Sequence, residues 1–175
     1  MILTFFFGKR RFIVKTPRLS ALLVLLTLLI TAGCGGGSGG TALGPTKAVL
    51  KLSTAGVPPG TLIGGVKVTV MLPNGVTVAQ QADNSAADGV AVASGAAAGA
   101  GALLEVNAAI AGQLTVGIIS TNGFAAGEFV TIKADIGAGF SPKQSDFSAT
   151  IDGQVSDTAG ASIPGVSASL VATIE

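Results

Sequence analysis

From residue 45 to the C-terminus the chain alternates apolar and polar side chains with a period of two, broken by Gly, Pro and Asn. Successive side chains of an extended strand point to opposite faces, so this period prescribes half-buried strands. Lys47–Ser53 sets Ala48, Leu50 and Leu52 against Lys47, Lys51 and Ser53. Val66–Leu72 gathers Val66, Val68, Val70 and Leu72 on one face; Pro73-Asn74-Gly75 then turns the chain, and Val76 and Val78 resume the alternation. Leu114–Ile119, Phe129–Ile136 and Val166–Ile174 repeat the pattern, and Val90–Ala93, Leu103–Ala108 and Phe147–Ile151 are shorter candidates. In Phe129–Ile136 the phase puts Val130, Ile132, Ala134 and Ile136 inward and Phe129, Thr131, Lys133 and Asp135 outward.

Strand starts fall roughly 10–20 residues apart with no long helical period between them, which argues for an all-β, antiparallel β-sandwich over alternating βαβ units. Ala86–Ala102 is rich in Ala, but its glycines (Gly89, Gly95, Gly99, Gly101) would each cost a helix about 1 kcal/mol. It reads as a connection holding one short strand. The core is expected to be thin and small-residue, of Val, Ala, Ile and Leu, with Phe124, Phe129, Phe140 and Phe147 its aromatic resources.

The N-terminal part obeys different rules. Residues 1–18 carry five basic residues and no acid, Ser20–Ile30 is an apolar run, and Thr31-Ala32-Gly33-Cys34 follows. This is the order of a secretory signal. The run is short of the ~20 residues that a permanent membrane helix needs. Gly35-Gly36-Gly37-Ser38-Gly39-Gly40 then reads as a flexible tether. The organisation expected is a signal peptide at 1–33, a cysteine and Gly-rich tether at 34–44, and a β-sandwich domain at 45–175.

Charge follows the same division. From Cys34 onward there are five lysines, no arginine and nine acids, a side-chain balance of 5 − 9 = −4. Without clustered Lys and Arg to neutralise phosphates, nucleic acid is not an expected partner. Cys34 is the only cysteine, which excludes an intrachain disulfide.

The residues before and at Cys34 resemble the lipobox of bacterial lipoproteins, with Thr31 in place of the usual Leu. The resemblance implies diacylation of the Cys34 thiol and cleavage before it, hence a membrane partner held through acyl chains. With Gly35, not Asp, after the cysteine, it implies an extracytoplasmic protein delivered to the outer membrane or cell surface. The domain itself resembles a cohesin module, the jelly-roll, immunoglobulin-like relative of certain carbohydrate-binding domains. The turn Leu72-Pro73-Asn74-Gly75-Val76 and the glycine-led strand Gly127–Ile136 carry that likeness, which covers about 45–175. It implies docking of a dockerin-like protein, or polysaccharide binding.

Catalysis by a nucleophile, His and acid is excluded because the chain has no His. A Ser–Lys pair remains arithmetically possible, but the lysines sit on outward strand faces or in loops. The reading is therefore a non-enzymatic binding or scaffolding module that needs no cofactor, with a carbohydrate-binding lipoprotein or a structural envelope component as the alternatives. Asp83, Asp88, Asp146, Asp152 and Asp157 lie in Gly-, Ser- and Ala-rich loops, where Asp stabilises turns. Asp83 with Asp88, or Asp152 with Asp157, are the alternatives for a calcium site. With no Trp or Tyr, sugar stacking would fall to Phe. The candidate contact surface is Phe129 with Thr131 and Lys133; Phe124, in Asn122-Gly123-Phe124, is a further Phe to weigh, with packing under a loop the favoured alternative to a contact role.

Overall fold

The structure is a computed structural model and describes residues 44–175. The leader, Cys34 and the glycine tether lie outside the described residues. Among the described residues the chain forms eleven strands. They are β1 (Lys47–Ala55), β2 (Ile63–Met71), β3 (Val76–Thr77), β4 (Ala91–Ala93), β5 (Leu103–Asn107) and β6 (Gln113–Phe124). β7 (Gly127–Ile136), β8 (Ser148–Ile151), β9 (Val155–Asp157), β10 (Ser162–Ile163) and β11 (Ser167–Ile174) complete the set.

Two antiparallel sheets face each other. Sheet I runs β11–β1–β7, with β3 and β4 sharing the far side of β7. Sheet II runs β5–β6–β2, with β8 and β9 sharing the far side of β2 and β10 beyond β9. The core lies between them. β1 supplies Ala48, Leu50 and Leu52, β2 supplies Val66, Val68 and Val70, and β6 supplies Leu114, Val116 and Ile118, all buried. Those are the faces that the alternation assigns inward.

Between Val90 and Ala102 the chain makes β4 and a single 3-10 turn, Gly95–Ala97, so the glycines do keep it out of helix. Two strands, β9 and β10, are too short for an alternating pattern to mark. Their turn is held by Asp157, whose carboxylate accepts from the amides of Ala159 and Ala161 at 2.9 and 2.8 Å. β6 runs past Ile119 to Phe124 because Ser120 occupies an inward position. Its hydroxyl donates to Ala100 O at 2.6 Å and accepts from Gly123 N at 3.1 Å, which satisfies a buried polar group.

One strand face departs from expectation. Phe129 is fully buried, not outward. Leu52 pairs with Val130 while Ser53 pairs with Glu128, so Phe129 is the extra residue of a β-bulge. A bulge lets two consecutive residues turn to the same side, and here Phe129 and Val130 both enter the core. Phe124 is buried as well, in line with the packing alternative, and its ring stacks on Phe129. Of the four aromatics, Phe140 alone is exposed, at 45%; it covers Gly75, whose φ of 79° suits the turn after Pro73.

Candidate functional site

The outer face of sheet I offers a contact surface without an anchor. Removing Phe129 leaves Thr131 and Lys133 of the expected trio on that face. Thr131 is half-buried and its hydroxyl donates to Ser94 Oγ at 2.9 Å, while Lys133 is exposed. Beside them lie two ion pairs. Lys47 pairs with Asp135, and Lys51 pairs with Glu128 at 3.2 Å. The hydrogen bond from Ser94, and then Lys51, hold the Glu128 carboxyl below its ordinary pKa. Lys133 takes part in no ion pair among the described residues, and Val171 and Val92 are exposed apolar residues in the cross-strand row that holds Lys51 and Thr131.

The aspartates are likewise occupied with the fold. Asp83 accepts from the backbone amide and hydroxyl of Ser85 at 3.0 and 2.6 Å, and those bonds lower its pKa, the hydroxyl first. Asp146 accepts from the Lys143 amide at 2.8 Å. Asp152 pairs with Lys67 at 2.7 Å. Asp88 accepts from the Gln81 amide group at 3.4 Å. Among the described residues no three or more His, Cys, Asp or Glu side chains gather as metal ligands.

The outer face of sheet II is different. It is dented by a trough of about 770 Å³ across β5, β6 and β2. Register explains the dent. One cross-strand row reads Ser156, Gly65, Ile119, Leu103, and the next reads Lys67, Gly117, Glu105. Gly65 and Gly117 are thus diagonal neighbours on β2 and β6, and the absence of two side chains hollows the sheet between them. Leu103 and Ile119, directly opposite each other, form one apolar wall, with 77% and 64% of their surface exposed. Gln154, Ser156 and Thr158 line the other side. Lys67 and Glu105 flank Gly117; Lys67 is turned to Asp152, whereas Glu105 takes part in no ion pair among the described residues.

This trough can bury apolar area while offering a carboxylate, hydroxyls and an amide for orientation, the usual make-up of a recognition site. Sequence reasoning missed it. The alternation does place Ile119 opposite Leu114, Val116 and Ile118, but nothing local says that Leu103 lies beside it. Comparison of the chain with protein-family models, with curated proteins and with solved structures finds no match.

Proposed function

We propose that this chain is a non-enzymatic, lipid-anchored, extracytoplasmic module that binds or scaffolds a protein partner at the cell envelope through the outer face of sheet II. One observation carries the docking part. Leu103 and Ile119 stand side by side on the outward face of a sheet, each more than half exposed, at the wall of a trough. Paired large aliphatic residues on a solvent face raise the free energy of the unbound surface, and covering them returns roughly 25 cal/mol per Å² of apolar area. The anchor rests on Thr31-Ala32-Gly33-Cys34 after the apolar run. A cohesin-like jelly roll is the finer fold reading, supported by the tight turn at Pro73–Val76, closed by Val76 N donating to Pro73 O at 3.1 Å, and by the glycine-led β7.

The test has two arms. Cys34→Ala is expected to abolish incorporation of radiolabelled palmitate; equal labelling of variant and wild type removes the anchor from the proposal. In pull-downs from secreted proteins, the Leu103→Ser/Ile119→Ser double variant is expected to lose a partner that the wild type retains, at unchanged melting temperature. A partner held equally by both removes the trough. The hydroxyl and amide rim of Gln154, Ser156 and Thr158 favours a second reading, a carbohydrate-binding lipoprotein. Titration against a glycan panel separates the two, since tight oligosaccharide binding with unchanged protein partners promotes the second.

A further inference from the structure

Most strand and turn glycines of this domain have a reason inside the fold. At Gly64 a Cβ would lie 2.3 Å from Asp157 O, at Gly56 2.4 Å from Gly165 O, and at Gly75 within the Phe140 ring. Gly123 and Gly127 hold positive φ. Gly117 has neither reason. It lies in the middle of β6, paired on both sides, outside the left-handed region, and a Cβ built on it meets nothing within 4 Å. A strand-interior glycine costs about 0.5–1 kcal/mol relative to Ala, and β-branched residues suit such a position better still. Thr115, two residues earlier on the same face, shows that one fits there. The fold alone therefore disfavours glycine at 117. Close approach of another molecule to the strand backbone is the remaining physical reason for one.

We infer that Gly117 is the floor of a slot that receives one basic side chain of the partner protein, with the cation on Glu105 and the aliphatic stem along Ile119 and Leu103. This deepens the proposed docking function and rests on it. The charges select the occupant. Lys67 is neutralised by Asp152, which leaves Glu105 as the unmatched charge beside Gly117, in a domain whose side chains sum to −4. Lys67 and Glu105 stand on strands two spacings apart, about 10 Å, so a guest over Gly117 meets the carboxylate without displacing the Lys67–Asp152 pair. An apolar wall ending at a carboxylate matches a side chain with an apolar stem and a charged head. Arginine fits better than lysine, because its planar fork can engage a carboxylate through two parallel hydrogen bonds.

The experiment titrates the full-length protein in detergent micelles with fluorescein-labelled acetyl-Leu-Arg-Leu-amide, followed by anisotropy, against the same peptide with norleucine for arginine. Wild type is expected to bind the arginine peptide at least tenfold more tightly than the norleucine one, with affinity falling as salt rises. Glu105→Gln should remove that preference. Gly117→Val should weaken binding at least tenfold while the melting temperature stays the same or rises, which separates a filled slot from a damaged fold. Lys133→Gln, on the other sheet, should leave binding unchanged. No binding by wild type, equal binding of the two peptides, or an unaltered Glu105→Gln variant overturns the slot. If the Leu103→Ser/Ile119→Ser variant nonetheless loses its partner in the pull-down, docking stands and only the basic occupant falls. A pull-down insensitive to that variant removes the docking reading itself.

Discussion

Phe124 of β6 and Phe129 of β7 stack across the gap between the two sheets, with ring centroids 6.2 Å apart and planes 25° from parallel. Only Ala125 and Ala126 separate the two strands, so the pair pins the place where the chain leaves sheet II for sheet I. Both rings are buried in a core whose other members, Phe147 apart, are Val, Ala, Ile and Leu. Neighbours that small cannot collapse far into the cavity left by a lost phenyl group. Phe129→Ala is therefore expected to cost about 3–5 kcal/mol, read as a lower midpoint in denaturant. Leu103→Ala, on the solvent face, should change stability by less than about 0.5 kcal/mol. Comparable losses at the two sites would mean that Phe129 does not hold the sheets together.

Two glycines on neighbouring strands of sheet II should respond oppositely to the same substitution. Gly64→Ala drives a methyl group onto Asp157 O and must displace β9 from β2, so it should lower the melting temperature. Gly117→Ala enters open space and relieves the entropy cost of glycine, so it should be neutral or stabilising by about 0.5–1 kcal/mol. Thermal melts of the two single variants decide the matter. Destabilisation by both would put an unrecognised contact over Gly117.

The free edge of β11 is closed by a side chain. Gln144 donates from Nε2 to Leu170 O at 3.0 Å and accepts from the Ala172 amide, standing in for the backbone of a missing strand. Unpaired strand edges template association with other chains. Gln144→Ala should cost about 1 kcal/mol for the lost hydrogen bonds and raise the self-association measured by sedimentation velocity. A variant as monodisperse as the wild type would show that this edge needs no cover.

Acid should unfasten sheet I through Glu128. Its folded pKa is depressed by the Ser94 hydrogen bond and by Lys51, so the ionised form is favoured in the native state. The sign is that of a lowered carboxylate: its stabilisation is complete above the ordinary carboxylate range and is lost as pH falls through the depressed value. Glu128→Gln should lower the neutral plateau of melting temperature against pH and flatten its acid limb. An acid limb of unchanged slope in the variant would assign the transition to other carboxylates, with Asp83 the next to test.

Period two alone was enough to decide the fold class and most strand faces, because side-chain direction along an extended chain is a local property. Ala48, Leu50 and Leu52 are inward whichever strand lies beside them. Three things were decided only by the tertiary structure. Phe129 faces inward because the bulge opposite Leu52 and Ser53 shifts its phase by one residue, and the partners that create the shift are remote in sequence. A slip of one residue reverses every facing before it, and no local pattern records where it occurs. The trough exists because register sets Gly65 diagonal to Gly117 and puts Leu103 opposite Ile119, bringing three separate stretches of chain into two adjacent rows. Finally, β9 and β10 exist because β2 has an open side for β9 to pair with and Asp157 holds the turn between them. Two or three residues are too few for alternation to show, so pairing with a neighbour, absent from any local reading, is what makes them strands.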